Sequence, residues 1–138
     1  MMSEAALRAG GWVQTDDDGF VRLVGPFWQR QAGEALELAV ATDERHRNRS
    51  GIVQGGLICT LADRALGAAS RLLTNNRAQV TINLDVTFLG RIAIGDILIA
   101  RPHIIRQSPS LNFGDVEIWV EDRLCAKAQG IFKLLDQR

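Results

Sequence analysis

Cysteine and histidine are scarce in this chain, at two residues each, and that scarcity excludes whole classes of chemistry. Cys59 and Cys125 lie far apart and match no metal or redox spacing, so the chain reads as reduced and cytoplasmic. His46 and His103 stand near neither a cysteine nor a paired acidic cluster, which leaves a protein-built zinc site without ligands. An excess of one charge is missing too. Sixteen basic residues balance sixteen acidic ones, which argues against a nucleic-acid partner or a strongly anionic membrane. No apolar run reaches the length of a membrane span. The opening stretch carries Glu4 and no sustained apolar run, so it is not expected to act as a signal peptide. Lysine is rare beside arginine, whose planar fork suits phosphate, a weak signal taken alone.

What remains is enough for one domain. A chain of 138 residues can bury roughly two thirds of its unfolded surface, and residues 1–138 read as a single unit without repeat, linker or low-complexity segment. Residues 1–30 supply a short helix and a lead-in strand. Ser3 to Ala9 is expected to be helical, with Ser3 as N-cap and Gly10-Gly11 as the stop. Trp12 and Val13 pack back onto the body. Asp16, Asp17, Asp18 and Gly19 make an acidic turn that lacks the remaining ligands of a calcium loop and is expected to be solvated. Phe20 to Val24 reads as a strand that Gly25-Pro26 breaks, and Phe27 and Trp28 begin another extended segment. A hairpin turn at Gln31 to Glu34 follows. Leu36, Leu38 and Val40 then alternate with Glu37 and Ala39 as a half-buried strand.

The informative stretch is His46 to Leu73. A polar, basic loop from Asp43 to Ser50, read as solvated, leads into Gly51, Gly55 and Gly56. The run from Gly55 to Leu73 then reads as a helix of about nineteen residues, roughly 28 Å long. Leu57, Ile58, Leu61, Ala62, Ala65, Leu66, Ala68, Ala69, Leu72 and Leu73 cover more than half of its circumference, and Thr60, Arg64, Gly67 and Arg71 form a narrow polar arc. Glycines at a helix start admit another molecule close to unpartnered N–H groups, which suits a developing oxyanion. Tight packing of the helix start against a strand is the alternative. Asp63 falls at the edge of the polar arc with Cys59, Thr60, Leu66 and Gly67 as its helical neighbours, none able to neutralise it. Burying an unpaired carboxylate costs several kcal/mol, so such an aspartate is reached by solvent, paired across an interface, or kept for chemistry. Cys59 reads as a small buried hydrophobe.

Residues 77–135 supply the main sheet. Val80, Ile82, Leu84, Val86 and Phe88 alternate with Gln79, Thr81, Asn83, Asp85 and Thr87, a clear strand pattern. Ile97 to Arg106 is a further strand, with Pro102 marking an irregularity or a sheet edge. Leu111 to Glu121 and Leu124 to Leu135 are the last two, joined by a tight hairpin at Asp122-Arg123. One apolar helix among long antiparallel strands gives an α+β fold in which the sheet curls round the helix.

The central stretch resembles the hotdog-fold acyl-CoA thioesterases of the PaaI-like branch. Their pattern runs roughly Asn-x-x-Gly-x-x-His-Gly-Gly and then an apolar helix with Leu-x-Asp. It stands here as Asn48, Gly51, Gln54-Gly55-Gly56 and Leu61-Ala62-Asp63, and the likeness extends through Thr81 to Phe88 and Ile94-Gly95-Asp96. The resemblance implies that Asp63 is general base or nucleophile against an acyl-CoA thioester. It implies that the N–H of Gly56 or Gly55 polarises the carbonyl, that Asn48 places water or acyl group, and that a hydroxyl at Thr81 assists the carboxylate. Strict alternation, however, puts Thr81 opposite the apolar face of its strand. Leu57, Ile58 and Phe88 would suit an aryl or a medium aliphatic acyl chain. The resemblance also implies a site shared between subunits of a homodimer, which often pairs further into a homotetramer. It implies no metal or redox cofactor, CoA entering only as part of the substrate.

One departure stands out. Gln54 occupies the place of the usual histidine, and glutamine can donate a hydrogen bond but cannot titrate. A non-catalytic acyl-CoA binding or sensing module is therefore a rival reading. A hotdog hydratase or dehydratase ranks below it, because neither His46 nor His103 lies in the glycine–helix unit.

Overall fold

The long apolar run folds as α3 (Gly55–Leu73), with the bounds its sequence indicates. The protein is described by a computed structural model covering residues 4–136, so Ser3, the expected N-cap, lies outside the described residues. Ahead of α3 come α1 (Glu4–Ala9), β1 (Val13–Gln14), α2 (Gly19–Val24), β2 (Phe27–Ala32), β3 (Ala35–Ala41) and a 3-10 turn at Glu44–His46. After it come β4 (Gln79–Phe88), β5 (Ile97–Gln107), β6 (Leu111–Val120) and β7 (Arg123–Leu134). The strands form one antiparallel sheet in the order β1-β2-β3-β5-β6-β7-β4. α3 packs against β3, β4, β5, β6 and β7. This is the hotdog fold, a curved antiparallel sheet around one central helix.

Two glycines make the close approach of helix to sheet possible. Gly114 on β6 pairs with Gly130 on β7. A Cβ on Gly114 would lie 2.8 Å from Leu66 Cδ2, and one on Gly130 would lie 2.9 Å from Leu66 Cδ1. Leu66 is fully buried between them. Around it Leu61, Ala62, Ala65, Leu98, Val116, Ile118 and Phe132 form the main core.

A second, smaller core lies on the outer face of the sheet, where Leu7 and Trp12 cover Trp28, Ala39 and Ile97. β3 is therefore buried on both faces rather than half-buried. Glu37, on that outer face, is held by Arg30 of β2 at 2.8 Å and Arg101 of β5 at 2.9 Å.

Several local expectations change. Phe20 to Val24 is a helix, not a strand: Val21 and Val24, three residues apart, pack on the core while Phe20 and Leu23 stay exposed. Five or six residues are too few for a period of two to be told from a helical one. On α3, Gly67 and Ser70 are buried, whereas Leu72 and Leu73 are exposed near its end. The irregularity of β5 falls at Ile104–Arg106 rather than at Pro102. Pro102 lies beyond Ala100, where β3 stops pairing with β5, so its missing N–H breaks no ladder bond on that side. The last hairpin turns at Glu121-Asp122, one residue earlier than expected, with Glu121 at φ 53°.

β4 departs most from its pattern. It sits at one end of the sheet, paired among the described residues only with β7, and its register shifts between Thr81 and Asn83. That bulge inserts one residue and exchanges the faces. Gln79 and Thr81 on one side of it bond to α3, and Leu84 and Val86 on the other side pack on the core. Val80 and Ile82 are left 45% and 53% exposed.

Candidate active site

The glycine end of α3 is built by the loop that precedes it. Asp43 caps the 3-10 turn, its N–H donating to His46 Nδ1 at 3.0 Å. His46 Nε2 then carries the proton that meets Val24 O at 2.6 Å. Arg45 donates to the carbonyls of Leu23 and Gly25, both at 2.6 Å. The loop is thus stapled to the end of α2. It is solvated at Glu44, Arg47 and Arg49, as expected, but His46 is buried. Both ring nitrogens of His46 are engaged, and His103 lies exposed, opposite Asp115 in the β5–β6 ladder. Neither histidine is free for acid–base chemistry at the helix.

Asn48 organises the next turn: its Oδ1 accepts from the N–H groups of Ser50 at 2.9 Å and Ile52 at 3.2 Å. Gln54, the residue that begins the helix, donates its N–H to His46 O at 2.8 Å, and its exposed side chain makes no cap bond. Leu57 is the first helical residue whose N–H finds a partner, Gln54 O at 3.0 Å. Among the described residues, the N–H groups of Gly55 and Gly56 have no partner, and they stand at the positive end of the helix dipole.

The two glycines serve different ends. A Cβ on Gly55 would lie 3.2 Å from Phe88 Cζ, so Gly55 answers to packing. A Cβ on Gly56 would meet only Gln54 Cγ, at 3.8 Å, so packing among the described residues does not require that glycine. Beside them opens a concavity of about 400 Å³ walled by Asn48, Ile52, Gly55, Ile58, Phe88 and Leu89. Leu57 turns the other way, into the core.

The carboxylate end is separate. Asp63 is half-buried and accepts a hydrogen bond from Thr81 Oγ1 at 2.6 Å. Its neighbour Arg64 points instead to Asp17 Oδ1, 2.6 Å away, so the acidic turn is not wholly solvated. Asp63, Gly67, Gln79, Thr81 and Arg71 line a concavity of about 150 Å³ that shares no residue with the first. Asp63 lies about two turns along the helix from Gly56, or roughly 10 Å. The chain brings Thr81 to Asp63, and Asn48 to the glycines. It does not bring Asp63 to the glycines.

Below Thr81 lies a polar network that sequence reasoning missed. Gln79 Nε2 donates to Gly67 O at 2.9 Å, Ser70 Oγ donates to Gln79 Oε1 at 2.6 Å, and Asn112 Nδ2 donates to Ser70 Oγ at 2.8 Å. Burial pushes the Cys59 thiol up, which disfavours its thiolate form one turn before Asp63. Among the described residues no group of three or more His, Cys, Asp or Glu could hold a metal ion, and no helix is long and apolar enough to cross a membrane.

A family model described as the thioesterase superfamily matches residues 50–127, which include the glycine pair, Asp63 and Thr81. A putative esterase of Pseudomonas aeruginosa is 35% identical over 114 residues, covering 81% of this chain and 85% of that one. Acyl-coenzyme A thioesterase 13 of Mus musculus is 28% identical over 87 residues, covering 63% of this chain and 62% of its own. Among solved structures, the PaaI protein of the phenylacetic acid degradation operon of E. coli superposes with a TM-score of 0.78 at 20% identity, over 87% of this chain and 86% of that one. The fold and the catalytic class are those of a hotdog thioester hydrolase. The chain belongs to the thioesterase superfamily.

Proposed function

We propose that the chain hydrolyses acyl-CoA thioesters to a free carboxylic acid and CoA, with Asp63 as the reactive carboxylate. The observation that carries this reading is the pairing of Asp63 with Thr81. The hydroxyl occupies one carboxylate oxygen and leaves the other free to take a proton from water or to attack directly. In the base route, the water oxygen bonds to the thioester carbon as its proton passes to Asp63. The N–H groups of Gly55 and Gly56 hold the oxyanion. Collapse breaks the C–S bond, and the proton returns to the departing CoA thiolate. Gln54 and Asn48 position the thioester, and no metal or redox cofactor enters.

The roughly 10 Å between glycines and carboxylate supports a site completed by a second copy of the chain, the glycines of one subunit facing the aspartate of the other. β4 is the natural seam: it is the longer of the two edge strands, and its Val80, Ile82 and Phe88 are 45%, 53% and 52% exposed. A homodimer, or a homotetramer built from it, in a reducing cytoplasm completes the reading. Thiol release from a panel of aryl and aliphatic CoA esters, with Asp63→Ala as control, tests it. Unchanged turnover by that variant overturns the assignment.

A further inference from the structure

We propose that Gln79 is a positioning residue, fixing the bulged stretch of β4 against α3 so that the Thr81 hydroxyl meets the Asp63 carboxylate. The inference rests on the reading of Asp63 as the reactive group. Gln79 and Thr81 leave the same face of β4, and their partners Gly67 and Asp63 lie one turn apart on α3. The two bonds are successive rungs between one strand and one helix. They fall next to the place where the β4–β7 ladder slips, between Thr81 and Asn83, so the ladder alone fixes the aim of Thr81 poorly. Among the described residues of the chain itself, β4 has a strand neighbour on the β7 side only.

Gln79 is itself held at both ends. Its Nε2 donates to Gly67 O, which is accessible because residue 67 has no side chain: a Cβ there would lie 3.3 Å from that nitrogen. Its Oε1 accepts from Ser70, and Ser70 is held by Asn112, both of them fully buried. Such a network is a costly way to fill an interior, because each polar group must be satisfied to offset its desolvation. Here the satisfaction is incomplete, since Asn112 Oδ1 has no partner among the described residues. Apolar side chains of the same shape would hold the helix on the sheet at least as well. Bonds of defined direction and length are what the network adds, and they end at the strand that carries Thr81.

The test is a double-mutant cycle in the full-length protein with steady-state kinetics on a CoA ester the wild type hydrolyses. Gln79→Met is expected to lower kcat by about 10- to 100-fold, the usual cost of a misplaced group, with KM little changed. Thr81→Val should lower kcat similarly, and the double variant should be no worse than the more damaging single one, because both remove the same alignment. Losses that multiply, a rise in KM at unchanged kcat, or wild-type kcat in Gln79→Met would each overturn the inference. If Gln79→Met does not fold, Ser70→Ala, which removes only the hydroxyl holding Oε1, takes its place with the same outcomes. An active Asp63→Asn variant would overturn the underlying reading. A dead Asp63→Asn beside a normal Gln79→Met would overturn this inference alone.

Discussion

Thr81 reaches from the edge strand β4 to Asp63 on the central helix, its hydroxyl donating to the carboxylate at 2.6 Å. A valine at position 81 keeps the shape and removes the proton donor, whereas a serine keeps the donor. Thr81→Ser is therefore expected to retain most turnover. Asp63→Asn removes the proton acceptor and should lower kcat by about 10²–10⁴-fold. Its circular dichroism and melting temperature should stay close to wild type, because among the described residues no cation pairs with Asp63. Rate and melting measurements on both variants check this together.

The glycines and the carboxylate are expected to come from different subunits, and mixing experiments can read that directly. A Cβ added at Gly56 would meet only Gln54 Cγ, at 3.8 Å, and the larger Gly56→Val puts bulk where the thioester must approach. Neither it nor Asp63→Asn should be active alone. Unfolded together and refolded, they should recover about a quarter of wild-type activity, because half of the dimers are mixed and each mixed dimer has one intact site. No recovery would place the whole site within one chain.

Gln54 stands where the family pattern has histidine, and its side chain is exposed and makes no cap bond. Gln54→His is expected to preserve or raise kcat/KM, since either side chain can donate to the carbonyl. A large loss in the same thiol-release assay would show that glutamine serves a specialised pocket.

Glu37 gives a stability test independent of catalysis. Burial pushes its carboxyl up, but hydrogen bonds from Arg30 and Arg101, and their charges, outweigh this and hold it below the ordinary glutamate value. Because the folded value is the lower one, the stabilisation is fully present above about pH 4.3 and is lost as pH falls through the folded value. Glu37→Gln should lower stability by about 1.5–3 kcal/mol at neutral pH. The difference from wild type should shrink in acid, as denaturant titrations at several pH values would report.

Gly114 offers a packing test. A Cβ there would lie 2.8 Å from Leu66 Cδ2 and 3.0 Å from the backbone oxygen of His103, which cannot swing aside as a side chain can. Gly114→Ala is expected to cost about 1–3 kcal/mol, visible as a lower melting temperature with the fold unchanged.

The bounds of α3 were legible because a glycine pair opens a long apolar run with helical spacing, and that run isolated Asp63 as well. β4 was legible as a strand but not in phase. Alternation assigned Thr81 to the side away from the apolar residues, and no residue type announces the extra residue that reverses this. α2 was misread because so short a stretch carries no usable period. The burial of His46 was hidden for another reason: its partners are backbone groups, one of them on α2. Gln79, Ser70 and Asn112 lie on three different elements, and each is unremarkable where it stands. Only the fold makes them a network.

The slip in β4 works as a phase shifter. Upstream of it the strand turns its polar side chains toward the helix; downstream it turns its apolar ones the same way. Reactive polarity and core-forming greasiness thus share one strand and one face without competing for positions. Chain length in this strand therefore encodes orientation. Deleting one residue at Ile82 would aim Gln79 and Thr81 outward, or else Leu84 and Val86, while every other residue of the site kept its identity.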